Sequence, residues 1–196
     1  MEARRSSLAV SLALLALSCG GSQSSKGSGT LTVLLKDAPA ALDAAVVTIT
    51  EVDLVGTAGT LVLSTEKVTT DLLTLANDTA TLVDGVAVPA GTYSQLRFVI
   101  TGGYISVGGT LYASSPTYEG LPEGAVVGGE LRMPSYATSG LKIDLPGGAM
   151  TLGTSARILV VDFDVSRSFG HVAGHSGAWV MHPVVKASDV VTTGAR

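Results

Sequence analysis

The 196-residue chain is poor in the residues on which many functions depend. It has one cysteine, one tryptophan and three histidines, with 14% charged and 5% aromatic residues. One cysteine cannot close an internal disulfide, and it excludes zinc sites built from two or more thiolates. There is no basic excess: the formal net charge is −4, which argues against a nucleic-acid partner. No window shows helical 3.6-residue periodicity. The apolar run at 8–17 is half the roughly 20 residues that a helix needs to cross a bilayer. What is present is a hydrophobic fraction of 46% with 24 glycines, enough apolar material for a core and unlike a disordered or collagen-like chain. The length fits a single domain.

The N-terminus places Arg4 and Arg5 before the short apolar run and small residues after it, the layout of a secretory signal. Ala16-Leu17-Ser18-Cys19 resembles the lipobox of bacterial lipoproteins. That resemblance implies that Cys19 is the lipidation site and the first residue of the mature protein. It would also explain a lone cysteine in an exported chain, where a free thiol is hard to keep reduced. Removing residues 1–18 takes away Arg4, Arg5 and Glu2, so the net charge moves from −4 to −5. An acidic domain has no polybasic patch for anionic lipid, so attachment falls to acyl chains such as palmitate. Residues 20–29, GGSQSSKGSG, form a Gly/Ser tether with a root-mean-square reach of roughly 18 Å. Gly20 stands where an aspartate would favour inner-membrane retention, so the expected location is the outer membrane of a Gram-negative envelope.

The expected organisation is therefore a signal peptide at 1–18, a tether at 19–29 and one β-domain at 30–190. Residues 30–36 form a β-branched run that ends on the turn signal Asp37-Ala38-Pro39. Within 45–55, Val47 and Ile49 lie in one phase and Val52 and Leu54 in the other. A switch of phase inside a strand predicts a β-bulge, because one extra residue moves the apolar set to the other face. Further strands are expected at 60–64, 67–75, 79–83, 93–101, 141–145, 149–152, 157–165 and 178–186. Leu96, Phe98 and Ile100 alternate with Gln95 and Arg97, and Leu159, Val161, Phe163 and Val165 with Asp162 and Asp164. Pro89-Ala90-Gly91-Thr92-Tyr93 supplies a turn and a tyrosine able to bond nearby backbone, as in the tyrosine corner of Greek-key sandwiches.

Taken in order, Leu31-Thr32-Val33, Asp37-Ala38-Pro39, 47–52 (VTITEV), Asp71-Leu72-Leu73, 89–97 (PAGTYSQLR), Ser139-Gly140-Leu141-Lys142 and Asp162-Phe163-Asp164 resemble the domain-of-unknown-function family numbered 4382. The resemblance covers about residues 29–165. It implies an all-β, antiparallel Greek-key β-sandwich, prealbumin-like or carboxypeptidase-regulatory-like, that is exported and often lipid-anchored. It brings no activity with it.

Four constellations bear on chemistry. Gly174-His175-Ser176-Gly177-Ala178 is close to a Gly-x-Ser-x-Gly elbow, but the elbow needs a following helix and Trp179-Val180-Met181 reads as strand. A glycine-rich hairpin loop is the better reading, with a serine hydrolase as the lesser alternative. His171 and His175, with His182 beyond, are weak metal candidates, because i, i+4 spacing converges on a helix and the flanking glycines oppose one. Asp162 and Asp164 are expected on one strand face, either as cation ligands or as a polar face, with Arg97 paired to a carboxylate of a neighbouring strand. The third carboxylate of a calcium loop is missing. Finally, Tyr104, Tyr112, Tyr118 and Tyr136 fall in a Gly/Ser-rich segment, a composition that suits binding surfaces. Trp179 is expected in the core.

These features predict a noncatalytic, lipid-anchored envelope module without a cofactor, catalytic set or resident metal. It would be held to the membrane through Cys19 and would present a surface to an envelope protein or a glycan. A metal-binding envelope protein is the alternative.

Overall fold

The computed structural model describes residues 27–37, 40–169, 171–173 and 177–190. Its strands in chain order are β1 (Ser28–Asp37), β2 (Ala44–Gly56), β3 (Gly59–Ser64), β4 (Val68–Asp71), β5 (Ala80–Pro89), β6 (Gly91–Val107) and β7 (Thr110–Ala113). They continue as β8 (Val127–Arg132), β9 (Leu141–Asp144), β10 (Met150–Leu152), β11 (Ala156–Phe163), β12 (His171–Ala173), β13 (Ala178–Val180) and β14 (Val185–Val190). A four-residue helix, α1 (Val165–Ser168), and two 3-10 turns complete the described residues.

Alternation decides which face each strand buries. In β1, Leu31, Val33 and Leu35 are fully buried while Thr30 and Thr32 look outward. Among the described residues the smaller sheet has the order β14-β11-β1-β5. The larger runs β12-β13-β8-β7-β6-β2-β3, with β4, β9 and β10 pairing onto β2 or β6. One core lies between them, contributed by Leu31, Val33, Leu159, Val161 and Phe163 from the smaller sheet and Ile49, Leu54, Leu96 and Phe98 from the larger. This is the expected all-β sandwich.

The expectation of wholly antiparallel pairing needs correction. β1 runs parallel to β11, and β8 runs parallel to both β7 and β13. The first strand inserts between β5 and β11, whose alternating patterns are the same for either pairing sense, so hydrophobic phase alone does not set direction.

The switch of phase in β2 is a bulge in its pairing with β6. Ile49 stands opposite Ile100 and Glu51 opposite Val99, which leaves Thr50 without a ladder partner; Thr48 opposes Gly102, which leaves out Thr101 as well. The Pro89 turn also behaves as expected: the Tyr93 hydroxyl donates to the Pro89 carbonyl at 2.8 Å. The strand expected at 67–75 stops at Asp71, whose carboxylate accepts from the Leu73 and Ala45 amides and caps a 3-10 turn over Leu72–Asn77. Trp179 is half-buried at the edge of the core, its ring 5.9 Å from that of Tyr112.

Candidate functional site

The two residues that the bulge leaves out of the ladder share a cleft. Thr50 and Thr101 line a depression of about 400 Å³ on the outer face of the larger sheet, with Thr48, Lys67, Ser114, Ser115, Thr117, Tyr118 and Glu119. β2 supplies Thr48 and Thr50, β6 supplies Thr101, and the segment after β7 crosses over them. Bulges re-aim side chains, and here they bring two hydroxyls to a concave surface.

The crossing segment is pinned from both ends. The Ser114 amide donates to the Gly103 carbonyl at 2.9 Å, and the Gly103 amide donates back to Ser114 Oγ at 3.1 Å. Tyr118 OH lies 2.6 Å from Thr48 Oγ1, which lies 2.7 Å from Thr69 Oγ1, a chain of three hydroxyls that ties two lining residues to β4. Lys67 and Glu119 close the rim as an ion pair. Glycine makes this approach possible: a methyl added at Gly102 would lie 2.7 Å from two carbons of the Tyr118 ring.

The electrostatics are self-contained. The Lys67 ammonium bonded to Glu119 holds that carboxyl below its ordinary range, and the carboxylate in turn raises the ammonium, so both are charged at neutral pH and cancel each other. Burial pushes the Tyr118 phenol up, partly offset by its bond with Thr48, so it keeps its proton. Neither charged group is poised to exchange a proton near neutrality. Among the described residues the Thr50 and Thr101 hydroxyls have no protein partner and remain available.

Two further clefts adjoin the first. One of about 460 Å³ shares Thr101 and Ser114 and runs past the Glu130–Arg132 ion pair. Another, of about 420 Å³, shares Ser114 and Ser115 and is floored by β8 glycines. The three meet at Ser114.

The tyrosines separate into distinct environments. Tyr118 lines the cleft; Tyr104 is buried beside it, ring centroids 6.4 Å apart. Tyr112 packs on Trp179, and the Tyr136 hydroxyl reaches the Met181 carbonyl at 3.5 Å. Asp162 and Asp164 line one small cleft of about 270 Å³, but not as neighbours on one strand face. Asp164 lies beyond the end of β11 and caps α1 through the Arg167 amide. Asp162 pairs with Lys36 at 2.8 Å, and Arg167 and Lys186 line the same cleft. These carboxylates are already met by cations, which disfavours a bound metal there. No group of three metal-ligating side chains occurs among the described residues. Of the histidine candidates, β12 places the His171 backbone opposite Val180, while His175 and Ser176, like Cys19, lie outside the described residues.

Arg97 stands opposite Asp53 in the β2–β6 ladder and opposite Lys142 in the β6–β9 ladder. Asp53 is 3% exposed; burial, then the neighbouring Glu51, raise its carboxyl, and Arg97 opposes the rise. Asp53 Oδ1 and Arg97 Nε lack hydrogen-bond partners, so the expected charge pairing takes the form of proximity rather than a formed bridge.

Sequence reasoning reached Tyr118 through its composition but missed the threonines and serines around it. A usable signal was present: Gly102-Gly103 in the middle of a strand, beside a phase switch in the strand that pairs with it.

The fold and the cleft define an all-β sandwich protein whose larger sheet carries a hydroxyl-lined outer cleft. The chain belongs to the family described as Domain of unknown function (DUF4382), whose model matches residues 28–183. The match reaches beyond residue 165, where the resemblance read from the sequence stopped, and takes in the glycine-rich stretch at 170–177. No curated protein and no solved structure matches the chain significantly.

Proposed function

We propose that this protein is a noncatalytic, lipid-anchored module of the cell envelope that binds a polar ligand in the outer cleft of its larger sheet. The observation that carries this reading is the pair of bulge threonines, Thr50 and Thr101, which leave the ladder and line the cleft together. A bulge weakens sheet pairing locally, and its placement under a concave hydroxyl-rich surface fits a binding role. The charged groups of the cleft are paired with one another, which suits recognition better than proton transfer.

The anchor fits this arrangement. The described chain starts at Gly27, whose carbonyl accepts from the Ala90 amide at 2.8 Å, beside the turns that join β2 to β3 and β5 to β6. Thr48 lies eight positions before Gly56 along β2, about 26 Å away at the usual rise per residue. A domain attached through Cys19 and its tether thus carries the cleft toward the end remote from the anchor. In an outer membrane it would face the envelope contents or the exterior, where a protein or glycan partner is within reach.

Two experiments test the reading. Radiolabelled palmitate is expected to enter the wild-type chain and not Cys19→Ser; equal labelling contradicts the anchor. In envelope extract, the full-length protein is expected to retain material that the Thr50→Val/Thr101→Val variant does not. Equal retention by both removes the cleft from the account.

A further inference from the structure

We infer that the ligand of the outer cleft is an uncharged oligosaccharide, bound as an extended segment across the adjoining depressions that meet at Ser114. Such binding presupposes the cleft reading above and specifies the chemistry of what is bound.

The lining selects for that chemistry. Thr48, Thr50, Thr101, Ser114, Ser115 and Thr117 each carry a hydroxyl, a group that both donates and accepts. A ligand made of hydroxyls can pair with such a surface in either sense. Thr50 and Thr101 have no protein partner among the described residues, so they can bond a ligand without giving up an internal bond. The Tyr118 ring, held by its hydroxyl on Thr48, adds an apolar surface suited to the C–H face of a sugar.

Charge argues against the other ligand classes. In the first cleft Lys67 is neutralised by Glu119, and in the second Arg132 is bonded to Glu130 at 3.1 Å. An anionic ligand would meet each cation together with the carboxylate that offsets it, so neither pair presents net positive charge to attract it. A cation would need several convergent oxygens with net negative charge, which two balanced pairs do not provide. An apolar ligand would leave the hydroxyls desolvated without partners.

Shape sets the length. The clefts of about 400 and 460 Å³ share Thr101 and Ser114, and the one of about 420 Å³ joins them at Ser114 and Ser115. Each alone is within the size range of small-molecule sites. Joined around Ser114, they form one continuous depression larger than any of the three, which a chain of several sugar units would fill better than a single one.

The test is calorimetric titration of the full-length chain, in detergent micelles, with neutral hexasaccharides of glucose (α- and β-linked), xylose and N-acetylglucosamine, their trisaccharides, and a hexagalacturonate as the anionic probe. At least one neutral hexasaccharide is expected to bind, with the matching trisaccharide roughly tenfold weaker. Thr50→Val/Thr101→Val is expected to weaken the hexasaccharide by roughly tenfold or more while leaving the melting temperature unchanged. Binding of the galacturonate alone, binding of none of the probes, or neutral binding indifferent to the double variant overturns the inference. Envelope extract separates the two levels. If the probes fail but the wild type still retains material that the double variant loses, the glycan assignment falls and the cleft stands. If that difference is also missing, both fall.

Discussion

The two faces of the larger sheet use the same strands for opposite purposes. On the inner face, Val47, Ile49, Val52, Leu54, Leu96, Phe98 and Ile100 are each no more than 2% exposed. On the outer face the same strands carry Thr48, Thr50, Asp53, Arg97 and Thr101, several of them without a full set of partners. Because strand side chains alternate, the bulge is what allows both faces to be served: it restores the apolar phase inside while aiming two threonines outside. The lesson is that stability and the candidate site are separable here to within one residue position.

The largest test of that separation is Phe98→Ala. Phe98 is fully buried, so the change is expected to cost about 3–5 kcal/mol in urea unfolding. Ligand binding per folded molecule should be unaffected; a cost below about 1 kcal/mol would place the core elsewhere. Gly102→Val acts on the other face. It forces a side chain into the Tyr118 ring, and a loss of about 1–3 kcal/mol is expected together with loss of binding, read by calorimetry. Binding that survives would show that the crossing segment does not shape the site. Tyr93→Phe removes the hydroxyl that holds the Pro89 carbonyl, and about 1 kcal/mol should be lost with binding intact, since the turn lies at the Gly56 end of β2, away from the cleft.

Asp53 sharpens the comparison through pH. Its folded carboxyl titrates above the unfolded one, chiefly because of burial, so its charge costs stability above the folded value and the cost fades as pH falls toward the unfolded value. Asp53→Asn is therefore expected to raise the melting temperature at pH 7 and to lose that advantage near pH 4, the ordinary aspartate range. A decrease at pH 7 would mean that the attraction of Arg97 outweighs burial. The smallest effect on stability belongs to Thr50→Val/Thr101→Val, expected within about 0.5 kcal/mol because both lie outside the ladder.

Much of the fold was legible in the sequence because its signals are local. The phase switch between Ile49 and Val52 marked the bulge, and Pro89 to Tyr93 marked the corner whose hydroxyl bond the structure contains. Strand direction was not legible, since alternation in β1 and β11 is the same read parallel or antiparallel. The end of β4 was missed because Asp71 stops it by capping, while Leu72, Leu73 and Leu75 continue an apolar run. The cleft was hidden for a different reason. Thr48, Thr50 and Thr101 also suit strand surfaces, and they meet Ser114 and Tyr118 only through pairing between distant segments. The tyrosine count pointed to the right stretch of chain, yet of its four members Tyr118 is the one that lines this cleft.

The most direct test of a binding outer face is amide hydrogen exchange of the full-length protein in micelles, with and without a purified neutral polysaccharide fraction from the cells that make it. Added protection is expected at 48–50, 101–103 and 114–119, with the inner-face positions of β1 and β11 unchanged. Protection confined to 162–186, or none at any of these segments, would contradict the account.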